Sequence, residues 1–141
     1  MRLLFLGLVL LTACSSPADA PQAQLAPAQP NGSSPLASTM VAMDAQLHSM
    51  LESVLADPNR SWEGRQLHNH HLLNVESTQG SMVNDHFLEQ APLYTMAIEQ
   101  FNQEPSAKHF NAVVEACLGC HYGTCPGPIE RIEKRTWTSA D

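Results

Sequence analysis

Two cysteines and a histidine late in the chain have the spacing that a covalently bound cofactor requires. Cys117, Cys120 and His121 form a C-x-x-C-H segment, a pattern that indicates attachment of a c-type haem. Residues three apart in a helix lie on one face, so both thiols can reach the vinyl groups at one edge of a porphyrin and form thioethers. The His121 imidazole then faces the iron as its proximal ligand. The segment therefore predicts one covalent haem c.

Two other interpretations of these residues are weaker. A structural zinc site built from Cys117, Cys120, His121 and Cys125 would lack the second, distant pair of ligands that such sites usually have. The adjacent Cys120 and His121 would also have to bind one metal together. A redox-active dithiol normally opens a helix after a strand in a βαβ unit, and the sequence predicts no such unit.

The amino terminus predicts export and lipidation. Residues 1–13 begin with Met1 and Arg2, continue with an apolar run, and have the features of a secretory signal that is too short to span a membrane. The run ends in Leu11-Thr12-Ala13-Cys14, which resembles the lipobox of bacterial lipoproteins. That resemblance implies cleavage before Cys14, lipidation of its thiol and, because Ser15 rather than Asp follows, anchoring in the outer membrane facing the periplasm. Cleavage nearby to give a soluble periplasmic protein is the alternative.

Composition separates a tether from one domain. Residues 14–35 are rich in Ser, Pro, Ala and Gln and cannot bury enough apolar surface to order themselves, so they predict a disordered tether; an arm packed on the domain is the alternative. Residues 36–141 predict a haem-binding helical domain with a short C-terminal extension. The net charge of −7 argues against nucleic acid as a partner and favours a basic docking face on a redox partner protein.

Periodicity predicts four helices and no strand. Ser34 followed by Pro35 is typical of a helix start, and apolar residues then recur at intervals of three and four as far as Asp57. A second helix is predicted over 61–75, with His71 on its inward face, and a third over 87–101. Pro92 predicts a kink or a later start in the third helix. The apolar residues that recur in the first predicted helix, and so form a stripe along one of its faces, are Met40, Met43, Leu47, Met50 and Val54.

A fourth predicted helix starts at Ser106 and carries the haem site. Ile129 begins what the pattern predicts as a short extra helix, after the break at Pro126-Gly127-Pro128. Four amphipathic helices in about a hundred residues predict an all-α fold, an antiparallel four-helix bundle whose core is completed by covalently bound haem.

Residues 36–122 resemble the cytochrome c′ and cytochrome c-556 group, four-helix monohaem cytochromes with C-x-x-C-H near the end of the last helix. The specific part is the motif at 117–121, preceded here by Phe110 and the Val113-Val114 pair. The resemblance implies that a first-helix residue faces the other side of the iron: an apolar residue in five-coordinate cytochromes c′, and Met in low-spin carriers. Met43, or alternatively Met40, occupies the corresponding part of this chain. The break after the haem site departs from the family.

The expected function is a periplasm-facing haem protein that carries single electrons and is not an enzyme, because Met ligation raises the haem potential and closes the iron to other ligands. The alternative is a gas-binding protein for NO or CO with an open distal site. His71 and His48 are the further candidates for the distal ligand. With Cys14 lipidated and two thiols on haem, Cys125 is left over, either as an unreactive packed thiol or as the thiol of a disulfide-linked homodimer or a redox sensor.

Overall fold

The computed structural model describes residues 34–77 and 83–138. The predicted signal segment, Cys14 and nearly all of the predicted tether lie outside the described residues. The elements are α1 (Pro35–Leu55), a single 3₁₀ turn (Leu72–Asn74), α2 (Asp85–Gln103), α3 (Ala107–Thr124) and α4 (Ile129–Glu133). The described residues contain helices and no strand, as expected for an all-α protein, and their arrangement is consistent with a helical bundle.

Local capping determines where the three long helices begin. The Ser34 hydroxyl accepts from the Ala37 amide at 3.1 Å, and Pro35 takes the first position of α1. The Asn84 side chain accepts from the Phe87 amide at 2.9 Å, and Ser106 accepts from the His109 amide at 3.2 Å. Each cap satisfies an amide that has no partner inside its helix. The predicted starts at Ser34 and Ser106 are therefore confirmed.

Helices α2 and α3 form a close antiparallel pair. Phe101 and Phe110 meet beside the short connection, with ring centroids 6.2 Å apart, and at the other end the His86 ring packs against α3. A Cβ on Gly123 would lie 2.4 Å from that ring, so the absence of a side chain there permits this approach. Helix α2 continues through Pro92, which lies on its exposed face, and the later start predicted from this proline is wrong.

The prediction of a helix over 61–75 is wrong. Residues 56–77, which we call the connecting segment, are irregular except for the 3₁₀ turn. Local side-chain bonds compete with helix formation, since the Asp57 carboxylate accepts from the Asn59 amide at 2.9 Å. His71 adopts a left-handed conformation with φ of 46°. Asn102 of α2 bonds both backbone groups of Leu67, at 2.7 and 2.8 Å. These contacts hold the segment against the helices without a helix of its own.

The chain after α3 returns along the bundle and includes the predicted short helix, which is confirmed as α4. We call residues 125–138 the C-terminal segment. Its Ile132 is buried in the core, and Asn111 of α3 bonds both backbone groups of Trp137, at 2.8 and 3.0 Å. Trp137 stacks edge to face on Trp62 at 5.4 Å. The C-terminal segment therefore packs against the helices and contributes to the core.

Helix α1 lies further from its neighbours than α2 and α3 lie from each other. The close backbone approaches of the described helices are between α2 and α3 and between α3 and α4. Within the described residues no helix is long and apolar enough to cross a membrane.

Candidate haem site

A cavity lies between α1 and the pair formed by α2 and α3. Its interior volume is about 30 Å³, and it is open to solvent on one side. Every helix and the 3₁₀ turn contribute to its wall, and most lining side chains are apolar. The lining residues are Met40, Met43, Asp44, Leu47, Leu72, Gln90, Ala91, Tyr94, Ala116, Cys117, Cys120, His121 and Ile132.

The cavity brings together the residues that the sequence singled out on two distant helices. Cys117, Cys120 and His121 line it from α3, and Met40 and Met43 line it from α1. Met43 is buried, with 6% of its surface exposed, whereas Met40 is half-buried. The amphipathic stripe of α1 and the motif of α3 therefore face one common space.

The His121 ring is oriented by the backbone at the end of its own helix. Its Nδ1 lies 2.7 Å from the carbonyl oxygen of Cys125, the residue that caps α3. A carbonyl can only accept, so Nδ1 carries the hydrogen and Nε2 keeps the lone pair that a metal ligand needs. A hydrogen bond of this kind also fixes the ring of a metal-binding histidine. The helix break after Thr124 is what makes this carbonyl available.

The two thiols are embedded in apolar surroundings. Burial, with a smaller effect of Cys120, raises the pKa of the Cys117 thiol to about 12, and burial also raises the pKa of Cys120. Both thiols therefore stay protonated at neutral pH. The nucleophilic cysteine of a redox-active dithiol has a lowered pKa, so this environment argues against that interpretation.

One charged side chain lines the cavity, and it is fully engaged by the C-terminal segment. Asp44 follows Met43 on α1, and its two oxygens accept from Arg135 Nε at 2.9 Å and Nη2 at 3.1 Å. Arg131 Nε lies 3.3 Å from the same carboxylate. We call these three residues the Asp44 cluster. It connects α1 to α4 at the edge of the cavity, next to Ile132.

The other sequence candidates lie away from the cavity wall. His48 and His71 are exposed, and the inward orientation expected for His71 is wrong because the helix that would have produced it does not form. Cys125 is half-buried and unpaired among the described cysteines, and it contributes its carbonyl rather than its thiol to the site. In residues 34–77 and 83–138, no group of three or more His, Cys, Asp or Glu is arranged to hold a metal ion.

Sequence reasoning did not identify Tyr94, which lines the cavity from α2. Tyr94 falls within the third predicted helix at an apolar position, and a tyrosine at such a position gives no signal of its own. His86, whose position at a helix end predicts a solvated side chain, instead has a ring nitrogen 2.9 Å from the Gly119 carbonyl oxygen. Comparisons of this chain with protein-family models, with curated proteins and with solved structures found no match.

Proposed function

We propose that this protein is a monohaem c-type cytochrome that carries single electrons and does not catalyse a reaction. The observation that carries the proposal is the convergence of Cys117, Cys120, His121 and two methionines on one apolar cavity. The C-x-x-C-H spacing alone predicts thioether attachment. Met40 and Met43 line the same cavity from α1, and one of them would supply a second protein ligand for the iron.

The residues of the cavity fit a haem in their chemistry. Cys117 and Cys120 would form the thioethers, and His121 would bind the iron through Nε2, because its Nδ1 is engaged by the Cys125 carbonyl. Apolar side chains from α1, α2 and α3 would cover the faces of the porphyrin. The wider separation of α1 from the other helices provides the gap between a proximal and a distal wall.

Met43 is the preferred distal ligand and Met40 the alternative. Both line the cavity, but the Met43 side chain is the more buried of the two, and a thioether ligand works best where water is excluded. When bound, a haem with His and Met ligands supplies a one-electron couple of raised potential. The protein's part is to hold both ligands and to exclude water and external ligands from the iron.

We further propose that the resemblance to the cytochrome c′ and cytochrome c-556 group extends to this function. The signal and lipobox residues support a lipoprotein anchored through Cys14 in the cell envelope, most simply in the outer membrane facing the periplasm. Export agrees with the haem proposal, because c-type haem is attached outside the cytoplasm, where cysteine thiols must be managed in an oxidising environment. A redox partner with a basic docking face would complement the acidic chain.

Haem attachment is tested by the pyridine haemochrome spectrum after extraction with acidified acetone. The exported wild-type protein should keep its colour and give the bands of two thioethers. Cys120→Ser should shift those bands to the one-thioether position, whereas the matched control Cys125→Ser should not. A haem that extracts freely from the wild type would contradict the proposal.

A further inference from the structure

The Thr124 hydroxyl is buried at the end of α3 and bonds no oxygen or nitrogen. Thr124 is the last residue of α3, and within residues 34–77 and 83–138 its Oγ1 is the one buried side-chain nitrogen or oxygen without a regular hydrogen bond. A threonine in a helix can bond the carbonyl oxygen four residues back, but Thr124 does not. Because an unpaired buried hydroxyl costs free energy, such groups are rare in folded proteins.

The Cys120 sulfur is the polar atom that this hydroxyl meets. The two residues are four apart in α3, and side chains with this spacing lie on one face of a helix. Burial raises the pKa of the Cys120 thiol, and the Thr124 hydroxyl, acting as a hydrogen-bond donor to the sulfur, opposes that rise. Sulfur is a weak acceptor, so this contact is looser than a hydrogen bond between two oxygen atoms.

The position of the hydroxyl excludes a partner from outside the protein. Its oxygen has almost no surface open to solvent, so water does not reach it. Cys120 lines the cavity and Thr124 does not, so a group bound in the cavity would meet the sulfur rather than the hydroxyl. The Cys120 sulfur therefore lies between Thr124 and whatever the cavity holds.

We propose that Thr124 is a positioning residue for haem attachment, and that its hydroxyl donates to the Cys120 sulfur and holds that sulfur towards the cavity. This assignment rests on the proposed function. In thioether formation the Cys120 S–H adds across the C=C bond of a vinyl group. The sulfur bonds the vinyl carbon next to the porphyrin ring and the thiol hydrogen moves to the terminal carbon, so the step needs no oxidant or reductant. A thioether sulfur can only accept, so the contact with Thr124 persists in the product.

The two attachment cysteines differ in this contact. The residue four positions after Cys117 is His121, which has no hydroxyl and whose Nδ1 is engaged by the Cys125 carbonyl. Removal of the Thr124 hydroxyl should therefore weaken attachment at Cys120 and leave attachment at Cys117 unchanged.

The test measures which cysteines of the exported, haem-loaded protein carry a thioether. The pyridine haemochrome spectrum separates one thioether from two, and tandem mass spectrometry of the alkylated haem peptide identifies the free cysteine. Thr124→Val and Thr124→Ala, which both lack the hydroxyl, should raise the fraction with one thioether several-fold, with Cys120 as the free thiol. Thr124→Ser keeps the hydroxyl and should retain two thioethers. The matched control Thr95→Val, at a half-buried position of α2 outside the cavity wall, should also retain two.

Three results would overturn the assignment while leaving the haem in place. The first is a wild-type amount of the two-thioether product in both Thr124→Val and Thr124→Ala. The second is an equal loss in Thr124→Ser, since that would assign the effect to side-chain shape and not to the hydroxyl. The third is a free thiol at Cys117 in place of Cys120. A wild-type protein without covalent haem would instead refute the proposed function, and the wild-type haemochrome spectrum detects that case separately.

Discussion

Replacing Asp44 with Asn should loosen the C-terminal segment that borders the cavity. Asp44 and Arg135 are each only 15% exposed and share two charge-assisted hydrogen bonds, at 2.9 and 3.1 Å. Arg131, which meets the same carboxylate at 3.3 Å, is 52% exposed. The two arginines therefore differ in how strongly water screens their attraction to Asp44.

The burial of Asp44 and Arg135 determines how much stability their separation should cost. Hydrogen bonds to charged groups contribute about 1.5–3 kcal/mol when water is largely excluded, whereas exposed ion pairs contribute roughly 0.2–1 kcal/mol. Asp44→Asn keeps the side-chain volume and removes the charge, so it should lower the free energy of unfolding by about 1.5–3 kcal/mol. Arg135→Gln should cost a similar amount, and Arg131→Gln less than about 1 kcal/mol.

Urea unfolding of the haem-loaded protein measures these differences. The midpoint should fall in Asp44→Asn at unchanged slope, and the double variant Asp44→Asn/Arg135→Gln should be less destabilised than the sum of its single variants, because both changes remove the same interaction. Additive effects of the two changes would refute the reasoning. So would an Asp44→Asn variant no less stable than Arg131→Gln.

Three further predictions follow from the same structure. If the proposed attachments are correct, thiol titration of the unfolded, haem-loaded protein should find one free thiol, because three of the four cysteines would carry lipid or haem. Cys125→Ser should remove that thiol, and two or more thiols in the wild type would contradict the proposal. Gly123→Ala should lower the stability measured by thermal unfolding by about 1–3 kcal/mol, because the new Cβ would meet the His86 ring. In the control Gly127→Ala the new Cβ would have no other atom within 4 Å, so that change should be nearly neutral. Equal effects of the two changes would contradict the close approach of His86 to Gly123. Burial and, to a smaller extent, the neighbouring His68 imidazole lower the pKa of His70 below 6.5, so an NMR titration should place its midpoint below that value. Because the fold disfavours the protonated ring, the contribution of neutral His70 to stability is present above the pKa of the unfolded state and is lost as pH falls through the pKa of the folded state. A midpoint at or above 6.5 would contradict this prediction.

The parts of the fold that sequence reasoning predicted correctly depend on short-range chemistry. Ser34 and Ser106 cap helices that begin one residue later, and such caps involve residues three apart. The motif with Cys117 and His121 is equally local. The apolar stripe of α1 also predicted a buried face, because helical periodicity alone determines which side chains share it.

The errors arise where distant side chains override local pattern. Residues 61–75 have moderate helical periodicity, yet Asn102, 35 residues beyond Leu67, bonds that residue's backbone and holds it in an irregular path. No local rule indicates such a contact. The close approach of the His86 ring to α3 is likewise permitted by Gly123 on that helix, so it could not be predicted from the α2 sequence.

Two absorption measurements test the proposed haem site most directly: the spectrum of the ferric protein, and the spectrum of the reduced protein with and without CO. The wild type should be low spin, show the weak long-wavelength band of a Met-ligated iron, and fail to bind CO. Met43→Ala should lose that band, become high spin and bind CO, whereas the matched variant Met40→Ala should keep the wild-type spectrum. A wild-type protein that is already high spin and binds CO readily would contradict the electron-carrier proposal and favour gas binding, and a low-spin spectrum unchanged by both substitutions would exclude methionine as the distal ligand.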